Sequence, residues 1–443
     1  MKTTVRQLPY SEVQALPLPP HQAPRKPGIA LRTLIYGLSG FALAGTGFRC
    51  ETNELSAIPA DQPCLIFMNH SCFLDLSIVS RLFYPRPYAI VCTSDGFVGM
   101  GGAMEHLMRA IGCIPTRKFV TDLQLVRDIE YCLKTLKISV LMYPEASYSF
   151  DGTATPLPRK MGVLLKKFGV PLVMVSTQGA FSRNPLYNEL KVRKAVPVSA
   201  SVRCLYTAEE IKAKTVQELS DGLDKAFTFD HFRWQKEQKL SITDPTRADG
   251  LHRILYKCPH CGAEGTTLGR GDRLTCGSCG KEWILTPLGQ LEATDGNTEF
   301  SHIPDWYAWE RENVRREILD GTYRLETDVD IAVMRDYKAI YQVGSGHLIH
   351  DCSGFTLTGC DGTLRYSQSP TASYGLYADY YWYELGDMVC IGNQDFLYYC
   401  FPKSPTPVAK PRLAAEELYK LCKGRRQTPA RDTVGWGKKD LSD

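Results

Sequence analysis

The residues best suited to chemistry begin at Asn69-His70-Ser71-Cys72-Phe73-Leu74-Asp75, directly after the apolar run Cys64 to Met68. A histidine whose second ring nitrogen is held by a carboxylate can take a proton from a hydroxyl, because the carboxylate stabilises the imidazolium that forms. On one unbroken helix, five residues rotate by about 500°, which leaves the two side chains about 140° apart. His70 and Asp75 therefore meet only if His70 sits in a turn after a strand and Asp75 lies one turn into the next helix. Taken alone, the pair also fits an N-cap or a core histidine. Ser71 and Cys72 adjoin the base and are poorly placed to point at it as nucleophiles.

Two further stretches supply polar groups. Ile111 to Phe119 carries Arg117 and Lys118 just before an expected helix, and Pro144-Glu145 ends the apolar run Ile138 to Tyr143. Arginine's planar fork binds two oxygens of a phosphate at once. Glu145 suits orienting that arginine or bonding a substrate hydroxyl.

A separate constellation is Cys258-Pro-His-Cys261 and Cys276-Gly-Ser-Cys279, each followed by glycine. Two such turns place four thiolates tetrahedrally around one structural zinc, in a zinc ribbon. A redox disulfide pair or an iron site is the alternative, and His260 is surplus to a four-sulfur site and expected to be exposed.

These groups need elements to hold them. Cys64 to Met68, Ala89 to Cys92, Ile138 to Tyr143 and Pro171 to Ser176 are short apolar runs that predict buried strands. Helical spacing predicts helices over Thr121 to Leu136 and over Pro158 to Gly169, and Thr215 with Glu218 forms a capping box. This α/β pattern covers 48–240. The zinc ribbon is expected at 250–290, then a linking helix and a β-rich domain with a closing helix at 305–423. Asp361-Gly362 marks a hairpin, and Pro411 to Lys423 places Ala414, Leu418, Leu421 and Cys422 on one face. Several strands closed by one helix resemble the pleckstrin-homology-like arrangement. A flexible leader is expected at 1–27 and a disordered tail at 424–443.

The segment 28–47 contains Leu31, Leu34, Ile35, Leu38 and Phe41 at helical spacing, with Arg25, Lys26 and Arg32 at or before its start. That suits a helix lying in a membrane interface better than a span, with an ordinary core helix as the alternative. The 52 basic and 48 acidic residues nearly balance at +4, and no basic block interleaves with aromatics, so no nucleic-acid partner is expected. Sixteen cysteines scattered through a 443-residue chain predict reduced thiols.

In order, these blocks resemble the glycerolipid acyltransferase family that includes lysophosphatidate and glycerol-3-phosphate acyltransferases. His70 and Asp75 fit its H-x-x-x-x-D motif, Arg117 its second block, Pro144-Glu145 its third and Val170-Pro171 its fourth. The resemblance implies an α/β domain on the cytoplasmic membrane face, peripheral or monotopic, working in phospholipid synthesis. It also implies an acyl-CoA or acyl carrier protein donor and a phosphorylated glycerolipid acceptor, with His70 as general base and no catalytic metal. The alternative is a lipid-binding or scaffold protein on the same fold. One departure stands out: the third block usually continues Gly-Thr-Arg after its glutamate, whereas here Ala146-Ser147-Tyr148 follows. Arg117, Lys118, Arg159 and Lys160 then remain as candidates for holding the acceptor's phosphate.

Overall fold

The computed structural model describes residues 3–99, 101–158, 160–189 and 191–423. The expected disordered tail lies outside the described residues. The leader departs from its flexible expectation. Strand β1 (Val5–Gln7) pairs in parallel with residues 340–342 of the C-terminal sheet, and the Tyr10–Ala15 helix buries Tyr10 and Val13 in the same core. The partners lie hundreds of positions away, so no local pattern announces this order.

The middle of the chain forms one sheet from β2 (Arg49–Asn53), β3 (Leu65–Met68), β4 (Tyr88–Thr93), β5 (Cys113–Thr116), β6 (Ser139–Met142), β7 (Leu172–Gln178) and β8 (Ser199–Tyr206). Its order is β2-β8-β7-β3-β6-β4-β5, and only the β7–β8 pair is antiparallel. Strand β3 is apolar throughout because both of its faces are covered, as in other parallel sheets. Ile66 and Met68 join the core of Ile78 and Val79 in the Asp75–Phe83 helix, whereas Leu65 and Phe67 join Ile129 and Leu165 on the other side. The predicted helices form at Leu123–Lys134 and Met161–Phe168, the latter closed by Gly169 at φ 63°. The capping box of Thr215 and Glu218 opens the Val216–Ala226 helix.

Strands β9 (Thr267–Arg270), β10 (Arg273–Cys276), β11 (Glu282–Leu285) and β12 (Leu291–Ala293) make a small antiparallel sheet around the paired cysteines. After the Ile303–Leu319 helix come β13 (Arg324–Met334), β14 (Ile340–Asp351), β15 (Gly354–Gly359), β16 (Leu364–Gln368), β17 (Tyr377–Trp382), β18 (Gly386–Gly392) and β19 (Leu397–Pro402). They are ordered β16-β15-β14-β13-β19-β18-β17. The hairpin at Asp361-Gly362 joins β15 to β16, with both residues at positive φ. The closing helix spans Ala409–Cys422. Of its expected apolar face, Ala414 and Leu418 are buried, but Leu421 is partly exposed and Cys422 exposed. Arg412, Glu416 and Glu417 are buried instead, because Arg311 from the Ile303–Leu319 helix pairs with both glutamates at 2.6 and 3.1 Å.

The C-terminal sheet packs against the carboxyl edge of the central one. Its contacts arise from segments that follow β4, β5 and β6. Asp95 accepts from the hydroxyls of Tyr377 and Tyr399 at 2.8 and 2.5 Å, Arg117 donates to the backbone of Asn393, and the Tyr374 hydroxyl donates to the Pro144 carbonyl at 3.4 Å. The segment 28–47 forms the Ile29–Leu43 helix, with Ile29, Leu34, Leu38 and Phe41 exposed. Among the described residues, no helix is long and apolar enough to cross a membrane.

Candidate active site

Strands β3 and β6 are neighbours, with Phe67 opposite Met142, so the loops that follow them emerge side by side at the carboxyl edge. Open α/β sheets bind ligands at that edge. His70 leaves the first loop and Glu145 the second. The turn expected after β3 is present, but Asp75 opens the following helix rather than lying one turn inside it.

His70 Nδ1 and Asp75 Oδ2 are 2.9 Å apart. A carboxylate oxygen can only accept, so Nδ1 carries the proton and the Nε2 lone pair is left free. The same Asp75 oxygen accepts the backbone N–H of Ser71 at 2.9 Å and of Cys72 at 3.3 Å. Three donors thus fix one buried carboxylate at the helix start, where the helix dipole favours negative charge. Asp75 Oδ1 is buried without a partner among the described residues.

The imidazole lies between two tyrosines, Tyr143 and Tyr148, each with its ring centre 4.0 Å from that of His70. Its side chain is 17% exposed. Burial holds His70 below the ordinary histidine value, against the opposing pull of Asp75, and the nearby Lys118 lowers it further. The ring is therefore neutral near pH 7 and able to accept a proton. Burial raises both phenols well above their usual value, so they stay protonated.

Glu145 is fully buried and supports the backbone. Its Oε2 accepts the His70 N–H at 3.1 Å, and its Oε1 accepts the Thr155 N–H at 2.8 Å and hydroxyl at 3.2 Å. Burial pushes its carboxyl up to about 7 despite these donors. It touches the main chain at His70, and no arginine pairs with it among the described residues. Ala146, next in sequence, has φ 58°, a left-handed conformation that favours glycine.

The expected phosphate-binding residues are dispersed. Arg117 is buried and donates to the carbonyls of Asn393 at 3.2 Å and Arg335 at 3.3 Å, so its guanidinium clamps the C-terminal sheet. Lys118 stays near the imidazole, with Nζ 4.1 Å from the centre of the Tyr377 ring. Lys160 is exposed at the start of its helix, and Arg159 lies outside the described residues. An oxyanion formed beside His70 would need amide donors, for which Asn69 and the helix-start backbone are the nearest in sequence. The Asn69 amide donates to Ser71 Oγ and the Thr177 carbonyl, while its oxygen accepts from Thr177, and the amides of Ser71 and Cys72 serve Asp75. Both sets are taken. Ser71 and Cys72 are buried, and burial raises the Cys72 thiol far above its usual value, which agrees with neither being a nucleophile.

Sequence reasoning missed Tyr143, Tyr148 and Thr155. No spacing signals them, although all three lie within ten residues of Glu145.

In the small sheet, the sulfurs of Cys258, Cys261, Cys276 and Cys279 all lie within 4.8 Å of one another. The Cys258–Cys279 and Cys261–Cys276 separations are both 3.8 Å. A tetrahedron with zinc–sulfur bonds of about 2.3 Å has edges of about 3.8 Å, whereas a disulfide needs about 2 Å. The quartet could therefore hold a structural metal. His260 is exposed and faces Glu299 at 3.3 Å, outside this group.

Residues 49–178 match the Acyltransferase family. A chloroplastic 1-acyl-sn-glycerol-3-phosphate acyltransferase, BAT2, from Brassica napus is 27% identical over 147 residues, which cover 32% of this chain and 41% of that enzyme. The chain thus spans less than half of that relative's length. The 1-acyl-sn-glycerophosphate (LPA) acyltransferase PlsC from Thermotoga maritima, a crystal structure, is similar with a TM-score of 0.32 and 16% identity, covering 43% of this chain and 76% of that one.

Proposed function

We propose, from the match of residues 49–178 to the Acyltransferase family and the likeness to a 1-acyl-sn-glycerol-3-phosphate acyltransferase, that this protein transfers a fatty acyl group from acyl-CoA or an acyl carrier protein to a hydroxyl of a glycerol-phosphate-type acceptor such as lysophosphatidate. The observation that carries the reading is the 2.9 Å contact of His70 Nδ1 with Asp75, which leaves Nε2 as a neutral base. Nε2 takes the proton of the acceptor hydroxyl while its oxygen attacks the thioester carbonyl carbon. The tetrahedral intermediate collapses with cleavage of the carbon–sulfur bond, and His70 returns the proton to the departing thiolate. Asp75 stabilises the imidazolium between these steps.

The test is thiol release from acyl-CoA and from acyl carrier protein, with lysophospholipids and glycerol phosphates as acceptors. Release that needs an acceptor and vanishes in His70→Ala is expected. A variant as fast as the parent would remove His70 from the role of base. The replacement of Gly-Thr-Arg by Ala146-Ser147-Tyr148 favours a second reading, a lipid-binding or scaffold protein, which a parent that binds these lipids without releasing thiol would support.

The exposed Ile29, Leu34, Leu38 and Phe41 support a helix resting on a membrane surface, where the lipid acceptor resides. Liposome flotation of the parent and of Phe41→Asp tests it, with loss of flotation expected. The sulfur spacing supports zinc in the cysteine module as a ribbon, with one zinc per parent chain and little in Cys276→Ser as the expected metal content. The strand order ending in one helix supports the pleckstrin-homology-like reading of the C-terminal sheet.

A further inference from the structure

In the C-terminal helix, one buried guanidinium has a nitrogen with nothing to bond among the described residues. Arg412, in the first turn of the Ala409–Cys422 helix, is 2% exposed, and its Nη1 has no partner among the described residues. Its Nη2 donates to Ser147 Oγ at 3.0 Å, and its Nε lies 3.5 Å from Glu416. Glu416 has a closer cation, Arg311 at 2.6 Å, and Lys420 pairs with Glu417. Among the described residues, Arg311, Arg412 and Lys420 make their ion pairs with Glu416 and Glu417, three cations to two carboxylates. Leaving a buried, charged donor unmade is costly unless some acceptor completes it.

The position of Arg412 says where that acceptor would lie. Ser147 stands between Glu145, which holds the His70 backbone, and Tyr148, which covers the His70 ring. The guanidinium lies over the Phe150 ring at 3.7 Å, which fixes its plane. Its charge is felt at Glu145 and at Asp379, and Asp379 also feels Lys118, whose charge reaches His70 as well. Among the described residues, Asp379 makes no ion pair with either cation.

We propose that Arg412, with Lys118 as the second cation, binds the phosphomonoester of the acceptor, so that the C-terminal helix supplies part of the acyltransferase site. The inference rests on the acyl-transfer reading above and adds to it the headgroup that the site selects. Arg412 touches the substrate's anion and takes no part in moving the proton. A phosphate on the acceptor would occupy Nη1 and bring the glycerol hydroxyl towards Nε2 of His70.

The test uses the full chain and Arg412→Lys, which keeps the charge but loses the planar fork. With acyl-CoA as donor, lysophosphatidate and monoacylglycerol are compared as acceptors. The variant is expected to raise KM for lysophosphatidate by about 10- to 100-fold, as for loss of a charged hydrogen bond, and to shift KM for monoacylglycerol far less. Equal losses for both acceptors would assign Arg412 a structural role and overturn the proposal. A second measurement avoids any substitution. Hydrogen exchange of the parent with sn-glycerol 3-phosphate, inorganic phosphate or glycerol should show protection of residues 409–416 and 145–150 with the phosphates and none with glycerol. Protection by glycerol 3-phosphate alone points to the substrate headgroup, and protection by phosphate as well points to the anion as the recognised group; both support the site. No protection with either phosphate would overturn it. A parent that releases no thiol yet shows this protection would sink acyl transfer and leave the anion site standing, whereas an active parent whose Lys variant keeps its acceptor preference would do the reverse.

Discussion

His70 and His347 are both hydrogen-bonded to carboxylates, yet their surroundings drive them in opposite directions. His347 lies on β14 directly opposite Asp328 of β13, and its two nitrogens reach Asp328 at 2.9 Å and Glu326 at 2.8 Å. It is half-exposed, and those acceptors raise its pKa. His70 has one carboxylate, a ring enclosed by two tyrosines and a free Nε2, and burial lowers it. A nearby acid alone does not make a general base. The ring must be neutral at working pH and must keep one nitrogen unbonded, and only His70 meets both conditions.

The largest expected effect separates the two rings outright. His70→Ala should cut the rate of acyl transfer by about 10³-fold or more, within the range for loss of a general base, while thiol release by His347→Ala stays within about twofold of the parent. Similar losses at both positions would erase the distinction. Next, Asp75→Asn should lower kcat by about 10²-fold, and Asp328→Asn should change it little. The pH dependence sharpens this point. Because burial lowers His70, activity should hold below the ordinary histidine value of 6.5 and fall only as the pH drops through the depressed value. Asp75 opposes that depression, so its Asn variant should move the acid limb lower still. A limb at or above 6.5 in the parent would contradict the buried ring.

Smaller effects concern the support of the two sites. Glu145 is raised from 4.5 to about 7, so the folded state binds its proton more tightly than the unfolded state does. Stability should therefore fall as pH rises between these values, by ~3 kcal/mol if this group acts alone. Urea unfolding at several pH values should show that slope in the parent and its loss in Glu145→Gln, whereas variants of the exposed Glu326 should leave the slope in place. The smallest effect is expected of Tyr143→Phe. The Tyr143 hydroxyl is buried without a partner among the described residues, so its removal should be neutral or stabilising by about 1 kcal/mol, with the rate within about twofold. A tenfold loss of rate would show that the hydroxyl serves the substrate.

Local signals marked much of the frame. The run CLIFM became β3, the helix closed by Gly169 and the capping box at Thr215 formed, and the paired cysteines came together. Strands β2, β5 and β8 carry no continuous apolar run: β2 is RCETN, β5 is CIPT with a proline inside it, and β8 alternates as SASVRCLY. Of the candidate site, the proximity of His70 and Asp75 was legible from a spacing of five. The proline-glutamate block was visible, but its role was not. The carboxylate of Glu145 holds main chain, while the fork of Arg117 is occupied by carbonyls of the C-terminal sheet.

Covalent spacing, turn chemistry and apolar periodicity act over a few residues, so the chain's own order specified the histidine–aspartate pair, the sulfur quartet and the main helices. Burial and charge partners depend on segments that meet only after folding. Arg117 bonds a residue 276 positions away, Arg412 one 265 positions away, and the tyrosines that cover His70 come from the neighbouring strand's loop. The basicity of the imidazole and the one unpartnered nitrogen of Arg412 were therefore set by packing, because the low-dielectric surroundings that decide them are assembled from the whole chain.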